Sequence, residues 1–162
     1  MPKCIRTSVD SDYAADRLTR KSTTGMVMRL GSHVVKTTSN LQTSVGLNVS
    51  ECELYALVHG GAHSLGLKAF LADLGLFLSI TLESDSNAAG AFCSRRGLGK
   101  QRHVETRYLW IQERVAAGHL VIRKIAGDSN TSDILTKSTS GPTLARHSAT
   151  LGLSVARRSG LQ

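Results

Sequence analysis

Aromatic side chains are scarce, at 4% of the 162 residues, which excludes a binding surface built as a row of platforms for splayed, stacked bases. Cysteine is scarcer still. Cys4, Cys52 and Cys93 are odd in number and far apart, so neither a disulfide framework nor a zinc knuckle is expected, and all three read as free thiols with no disulfide partner. Long apolar runs are missing as well: Leu74 to Leu82 has nine residues and is interrupted by Gly75, Ser79 and Thr81, where a membrane helix needs about 20. No membrane partner is expected. The opening Met-Pro-Lys-Cys-Ile-Arg has no apolar core of the secretory kind, which makes a reducing, intracellular compartment the expectation. The shortage with most consequence is of negative charge. Twelve Asp and Glu face twenty Lys and Arg, for a net charge of +8 and a pI near 9.9, a balance that favours a polyanionic partner, nucleic acid foremost.

What is present fits one packed domain. Hydrophobic residues make up 41%, and 15 glycines bring the wider apolar total to about half, the ordinary level for a globular chain of single-core length. Residues 4–9 and 25–38 are rich in β-branched side chains, with Gly31-Ser32 as a break, and predict a strand followed by a hairpin. From Ser50 the period changes. Leu54, Leu57, Val58, Gly61, Ala62 and Leu65 fall on one helical face, with Gly66 or Gly75 as the end of the helix. Ile80 to Glu83 reads as a short strand, and Asp85-Ser86-Asn87 as a strand-to-helix junction capped by Ser86. Val104, Tyr108, Ile111 and Val115 recur at helical spacing up to Gly118, Leu120 to Ile125 reads as another strand, and Ile134 and Leu135 as part of a short late helix. The last 25 residues, rich in Ser, Thr, Gly and Arg, are expected to be loose. Strands first, then helices alternating with strands, predict an α/β fold whose mixed sheet is antiparallel on one side and parallel on the other.

With acids so few, their positions carry information. Asp10 ends the first strand, Glu53 opens the long helix, Asp85 ends the middle strand and Asp133 opens the late helix. In an open α/β sheet the carboxyl ends of parallel strands converge with adjoining helix starts on one crevice, where four carboxylates from distant positions meet and repel. Hard oxygen ligands of this kind suit Mg2+ or Mn2+, and a pair of such ions supports in-line phosphoryl transfer. Each acid also has a plainer reading. Ser50-Glu51-Cys52-Glu53 fits a capping box in which Glu53 serves the helix start, Asp85 and Asp133 fit first-turn acids favoured by the helix dipole, and Asp10, Asp12 and Asp16 fit solvated turns.

Local sequence separates these readings. Ser8-Val-Asp-Ser-Asp-Tyr-Ala-Ala-Asp16, followed by Arg20-Lys-Ser-Thr-Thr-Gly25, resembles the opening of the ribonuclease H domain of copia-type LTR retrotransposon polyproteins. The likeness continues in order through Ser50-Glu-Cys-Glu-Leu-Tyr-Ala-Leu57, Glu83-Ser-Asp-Ser-Asn-Ala-Ala89, Arg102-His-Val-Glu-Thr-Arg-Tyr108 and Ser132-Asp-Ile-Leu-Thr-Lys137. It covers residues 5 to 137 and, more faintly, up to Leu153, so residues 1–137 are expected to form the catalytic domain and 138–162 a C-terminal tail. The resemblance implies an RNase H-like fold, a mixed five-stranded sheet flanked by helices. It also implies hydrolysis of the RNA strand of an RNA–DNA hybrid by two Mg2+ ions, Mn2+ substituting, with Asp10, Glu53, Asp85 and Asp133 as the metal-binding catalytic carboxylates. Glu51, two residues from Glu53 on a helix, points elsewhere, and Asp12 and Asp16 match family positions without being the catalytic one. A reverse transcriptase in the same polyprotein is the implied partner, and a cytoplasmic retroelement particle or the nucleus the implied location.

The chain departs from the family pattern at several points. Tyr13 stands where Trp is usual, Ala15 where Gly is frequent, Cys52 and Leu54 flank Glu53 in place of Ala and Tyr, and Val35 replaces an aromatic. The loop from Ile125 to Ser132 has no His, a residue that cellular relatives place near the last carboxylate, so slower product release is expected. Arg95, Arg96, Lys100 and Arg102 cluster ahead of His103, either as a solvated basic loop or as a track for a phosphate backbone; beside a nuclease site the second is preferred. Ser22, Thr23, Thr24 and Asn87 are candidate donors to phosphate or to a ribose 2′-hydroxyl. His103 fits a phosphate contact or a helix cap equally well. His59 and His63 stand four apart, but Gly60 occupies the position where the zinc-protease pattern needs Glu, and Trp110, Tyr108 and Ile111 read as packing. Two alternatives to the nuclease are a catalytically silent RNase H-like module that binds nucleic acid or supports a polymerase, and an integrase-like DNA nuclease, against which Asp133 in its Ile-Leu-Thr-Lys setting argues.

Overall fold

The computed structural model describes residues 2–99 and 102–153. Strand β1 (Cys4–Ser11) is central, followed by the hairpin of β2 (Thr23–Leu30) and β3 (His33–Leu41), then β4 (Ser79–Ser84) and β5 (Val121–Lys124). The sheet order is β3-β2-β1-β4-β5. β1, β2 and β3 pair antiparallel, while β4 lies parallel to β1 and β5 parallel to β4. This is the mixed sheet expected from the order of elements, with the five strands that the resemblance implies, each hairpin strand beginning or ending a few residues beyond its β-branched segment.

Helix α1 (Val49–Asp73) runs through Gly66 and stops before Gly75, whose φ of 78° ends the helix at the second of the two expected places. Its apolar side packs on the sheet through Leu54 and Leu57, joined in one core by Ile5, Val9, Met26, Ile80 and Leu82. Close approach requires Gly60, where an added Cβ would sit 2.5 Å from Val9 Cγ1. Helix α2 (Asn87–Ser94) begins at Ser86, whose hydroxyl accepts the Ala89 N–H as expected of a cap. The stripe from Val104 to Val115 is divided: a 3-10 turn (Thr106–Tyr108) precedes α3 (Trp110–Ala116), and Val104, Tyr108 and Ile111 are all buried in the core.

Two segments differ from the sequence reading. Ile134 and Leu135 lie in a 3-10 turn (Thr131–Leu135) rather than an α-helix. Residues 141–150, expected to be loose, form α4 (Gly141–Thr150) with Pro142 in its first turn and His147 only 2% exposed. Its buried side is carried by His147 and Leu151, too sparse an apolar stripe to stand out in a Ser- and Thr-rich stretch. Residues 154–162 of the tail fall outside the described residues. Among the described residues, no helix is long and apolar enough to cross a membrane, and Cys4, Cys52 and Cys93 are free thiols.

Candidate active site

Parallel pairing of β1 with β4 brings their carboxyl ends to one edge of the sheet. Asp10 lies next to the last residue of β1 and Asp85 directly follows β4. Asp133 reaches the same edge from the Thr131–Leu135 turn, and the ligand oxygens of Asp10, Asp85 and Asp133 lie within 4.8 Å of one another. Two devices hold that turn on the sheet. The buried Asn130 donates its side-chain amide to the Val9 carbonyl at 3.0 Å and accepts the Ser132 N–H at 3.3 Å. Gly25, paired with Asp10 across the β1–β2 ladder, leaves room for the turn: an added Cβ would lie 2.8 Å from the Ser132 carbonyl oxygen.

Glu53 enters from the first turns of α1, 5% exposed. Its Oε1 accepts the Ser11 N–H at 3.4 Å, while Oε2 is buried with no hydrogen-bond partner among the described residues. The capping reading of Glu53 is corrected here. Asn48 is the N-cap and accepts the Glu51 N–H at 3.0 Å, and Glu51 reaches back to the Leu47 N–H at 3.0 Å. The capping work falls on Glu51, so Glu53 faces the acidic edge without that duty. Burial alone would discourage ionisation of Glu51, but hydrogen bonds from the Tyr55 hydroxyl, His103 and Leu47 outweigh it and hold the carboxyl below its usual range. His103 Nε2 lies 2.8 Å from Glu51 Oε2, which ties the basic segment to the start of α1. Asp12 and Asp16 are spent on turns: Asp12 accepts the N–H groups of Ala15 and Thr23, and Asp16 those of Leu18 and Thr19.

The electrostatics of the edge are those of crowded carboxylates. Desolvation by burial, then repulsion from Asp10 and Asp85, pushes the Glu53 carboxyl up to about 8. Asp10, 1% exposed, is likewise raised by burial to about 6, against the opposing pull of Thr136 and Lys137. Thr136 donates its hydroxyl to Asp10 Oδ2. Lys137 places its ammonium 3.1 Å from Asp10 Oδ2, 3.2 Å from Oδ1 and 3.5 Å from Asp133 Oδ1. Neither Thr136 nor Lys137 was marked as a site residue by sequence reasoning, although Lys137 stands four residues after Asp133, the spacing at which opposite charges meet on a helical turn. The edge opens into a cavity of about 510 Å³ lined by Ser11, Tyr13, Glu53, Asp85, Ser86 and Lys137 among others. An all-oxygen donor set with an unpartnered buried carboxylate oxygen fits a hard divalent cation.

The expected nucleic-acid-binding residues divide into several groups. Asn87 is exposed at the start of α2, close to Asp85 in sequence, and Arg95, Arg96, Arg102 and His103 are exposed on the segment that follows. Arg95 lies over the Phe92 ring and donates to the Leu98 carbonyl at 2.8 Å. Lys100 lies outside the described residues. Ser22 is buried, where its hydroxyl accepts the Ala14 N–H at 2.9 Å and contacts Cys52 Sγ. Thr24 is also buried and accepts from the Gln42 amide at 3.0 Å, whereas Thr23 is half-buried with its N–H on Asp12. Arg107, which sequence reasoning passed over, donates to Ser44 Oγ at 2.8 Å and pairs with Glu105 beside the same face. The His59 and His63 rings are 4.5 Å apart, with Lys36 Nζ 3.1 Å from His63 Nδ1, a cation where a metal pair would need open space.

No protein-family model matches the chain. It is 32% identical over 130 residues to the Retrovirus-related Pol polyprotein from transposon TNT 1-94 of Nicotiana tabacum, a match covering 79% of this chain and 10% of the polyprotein. It is 23% identical over 147 residues to the corresponding polyprotein from transposon RE1 of Arabidopsis thaliana, covering 89% of this chain and again 10% of the relative. The chain therefore spans about one tenth of the length of these curated relatives. Among solved structures, it is similar to LC11-RNase H1, isolated from compost by a metagenomic approach, with a TM-score of 0.61 at 13% identity, covering 83% of this chain and 93% of the other. The N-terminal RNase H domain of a Mycobacterium tuberculosis protein gives a TM-score of 0.57 at 13% identity, covering 91% and 97%. These structures share the fold, and the polyproteins share the sequence. On these grounds the chain belongs to the copia-type retrotransposon Pol family and corresponds within it to the RNase H-fold domain.

Proposed function

We propose that the domain is a metal-dependent endoribonuclease that cuts the RNA strand of an RNA–DNA hybrid, working beside a reverse transcriptase of the same polyprotein in a cytoplasmic retroelement particle or the nucleus. One observation carries the reading: ligand oxygens of Asp10, Asp85 and Asp133 gather within 4.8 Å beside a cavity lined by Asp85 and Glu53, whose buried Oε2 has no partner among the described residues and whose carboxyl is raised by burial and by Asp10 and Asp85. These four residues would hold two Mg2+ ions, or Mn2+ in their place. Bound there, the ions would supply Lewis acidity and charge neutralisation for in-line attack of water at phosphorus. The chain's own residues do the positioning. Asn130 and Gly25 fix the turn that carries Asp133, and the Ser11 N–H orients Glu53. Arg95, Arg96 and Arg102, with Asn87 ahead of them, present donors to the hybrid backbone. That LC11-RNase H1 has also been solved in complex with an RNA/DNA hybrid makes this the substrate class to test first.

The test is cleavage of a labelled RNA–DNA hybrid, beside single-stranded RNA and duplex DNA, with Mg2+, Mn2+ or chelator. Cutting of the RNA strand alone, dependent on metal and abolished by Asp85→Asn with hybrid binding retained, is the expected result. Cutting in chelator, cutting of duplex DNA, or full activity of Asp85→Asn would overturn it. Tight, salt-sensitive hybrid binding with no cutting by either metal would replace it with a nucleic-acid-binding module.

A further inference from the structure

The structure assigns Lys137 a role as the tethered counter-ion of the acidic edge, its ammonium standing where a divalent cation has to enter, so that metal binding displaces it. The inference rests on the metal-site reading above and goes beyond it. The ammonium contacts both oxygens of Asp10, at 3.2 and 3.1 Å, and approaches Asp133 Oδ1 at 3.5 Å. It thus bridges two of the three acids whose oxygens share one small volume. An ammonium at about 3 Å from these oxygens stands within a few Å of where a magnesium ion at about 2 Å would sit, so like-charge repulsion sets the two in competition. Lysine suits a removable plug better than arginine. Its charge is compact and its stem flexible, whereas a guanidinium would lock onto a carboxylate with two parallel bonds. The exit is open as well, because the Lys137 side chain is 45% exposed while Asp10 is 1% exposed. Its neighbour Thr136 stays bonded to Asp10, so the ammonium can leave without the backbone leaving the site.

The experiment is a Mn2+ titration of the whole chain followed by electron paramagnetic resonance, comparing the parent with Lys137→Gln and Lys137→Arg at constant pH. Loss of the competing charge is expected to tighten Mn2+ binding about tenfold in Lys137→Gln, whereas Lys137→Arg, whose guanidinium locks onto the carboxylate, binds Mn2+ no more tightly than the parent. Equal affinity of parent and Lys137→Gln, or equal tightening in both variants, overturns the inference while leaving the metal site standing. No Mn2+ bound by the parent or by Lys137→Gln removes the metal site itself. A second measurement needs no variant. Acetylation of the parent's lysines, read by mass spectrometry, is expected to speed up several-fold at Lys137 when Mn2+ is added, with exposed Lys3 as the unchanged reference. Labelling of Lys137 that does not change with Mn2+ refutes displacement.

Discussion

Glu53→Gln is expected to stabilise the metal-free protein while abolishing cutting, and the gain has to grow with pH in a defined window. In the folded chain the Glu53 carboxyl is raised from 4.5 to about 8, first by burial and then by Asp10 and Asp85. Below pH 4.5 both folded and unfolded chains hold the proton, and the residue costs nothing. Between 4.5 and about 8 the unfolded chain releases the proton and the folded chain keeps it, so stability falls as pH rises. Above about 8 both are ionised and the loss is complete. At about 1.4 kcal/mol for each pH unit of that window, the ceiling is about 5 kcal/mol, and relaxation around a charged Glu53 should leave about half of it. Glutamine keeps an oxygen for the Ser11 N–H, so the substitution removes the charge and little else. Urea unfolding in chelator is expected to show Glu53→Gln more stable than the parent by about 2 kcal/mol at pH 8.5 and by less than about 1 kcal/mol at pH 5. A variant no more stable than the parent at pH 8.5 would refute the argument that Glu53 is a buried, uncompensated acid.

Gly25→Ala is expected to cost about 1–3 kcal/mol and to slow cutting, because its Cβ would press on the Ser132 carbonyl at 2.8 Å and push Asp133 away from Asp10; unchanged urea midpoint and rate would show that the turn does not depend on this close approach. Replacing Arg95, Arg96 and Arg102 together by Ala is expected to flatten the dependence of log K on log salt by about 0.9 for each phosphate that these arginines neutralise. An unchanged slope in fluorescence anisotropy would take the segment out of the hybrid interface. Divalent ion and hybrid are expected to tighten each other's binding by the same factor, since four acids at the cavity repel a phosphate until a cation compensates them; hybrid affinity measured with Asp85→Asn, which does not cut, should then respond less to added Mg2+ than that of a mutant retaining all four acids.

Element ends, where apolar periodicity stops, marked Asp10, Glu53, Asp85 and Asp133 as candidates, and the resemblance to the ribonuclease H domain chose them over their plainer readings as caps and turn acids. Asp10, Asp85 and Asp133 needed only a correct sheet order to meet. The choice between Glu51 and Glu53 was harder, because Ser50 and Asn48 are both good cap residues and only the observed helix start shows which of them caps. Chemistry supplied by turns was not legible. Asn130 and Lys137 act through the geometry of a 3-10 segment that the sequence presents as a short helix, and the four-residue spacing from Asp133 to Lys137 signals a charge pair on one turn but not the reach of the lysine to Asp10 on β1. Ser22 and Thr24 look like exposed hydroxyls in a polar run, yet the turn from Asp12 to Lys21 folds them inward. Helix α4 was missed for a related reason: its buried side depends on a histidine, a residue that composition counts as polar.

The likeness to cellular RNase H structures at 13% identity follows from how little sequence the arrangement demands. The sheet needs β-branched alternation, which many residues satisfy, and α1 needs one narrow crossing over β1, which Gly60 provides. The acidic edge needs four carboxylates at element ends, a small residue opposite Asp10, and a side chain that pins the last turn to β1. A net positive surface then gathers the polyanion, and the same acids that would repel it are compensated within reach by Lys137. In a chain with only twelve acidic residues, concentrating four of them at one edge is tolerable because the Lys137 ammonium sits among them, against Asp10 and Asp133.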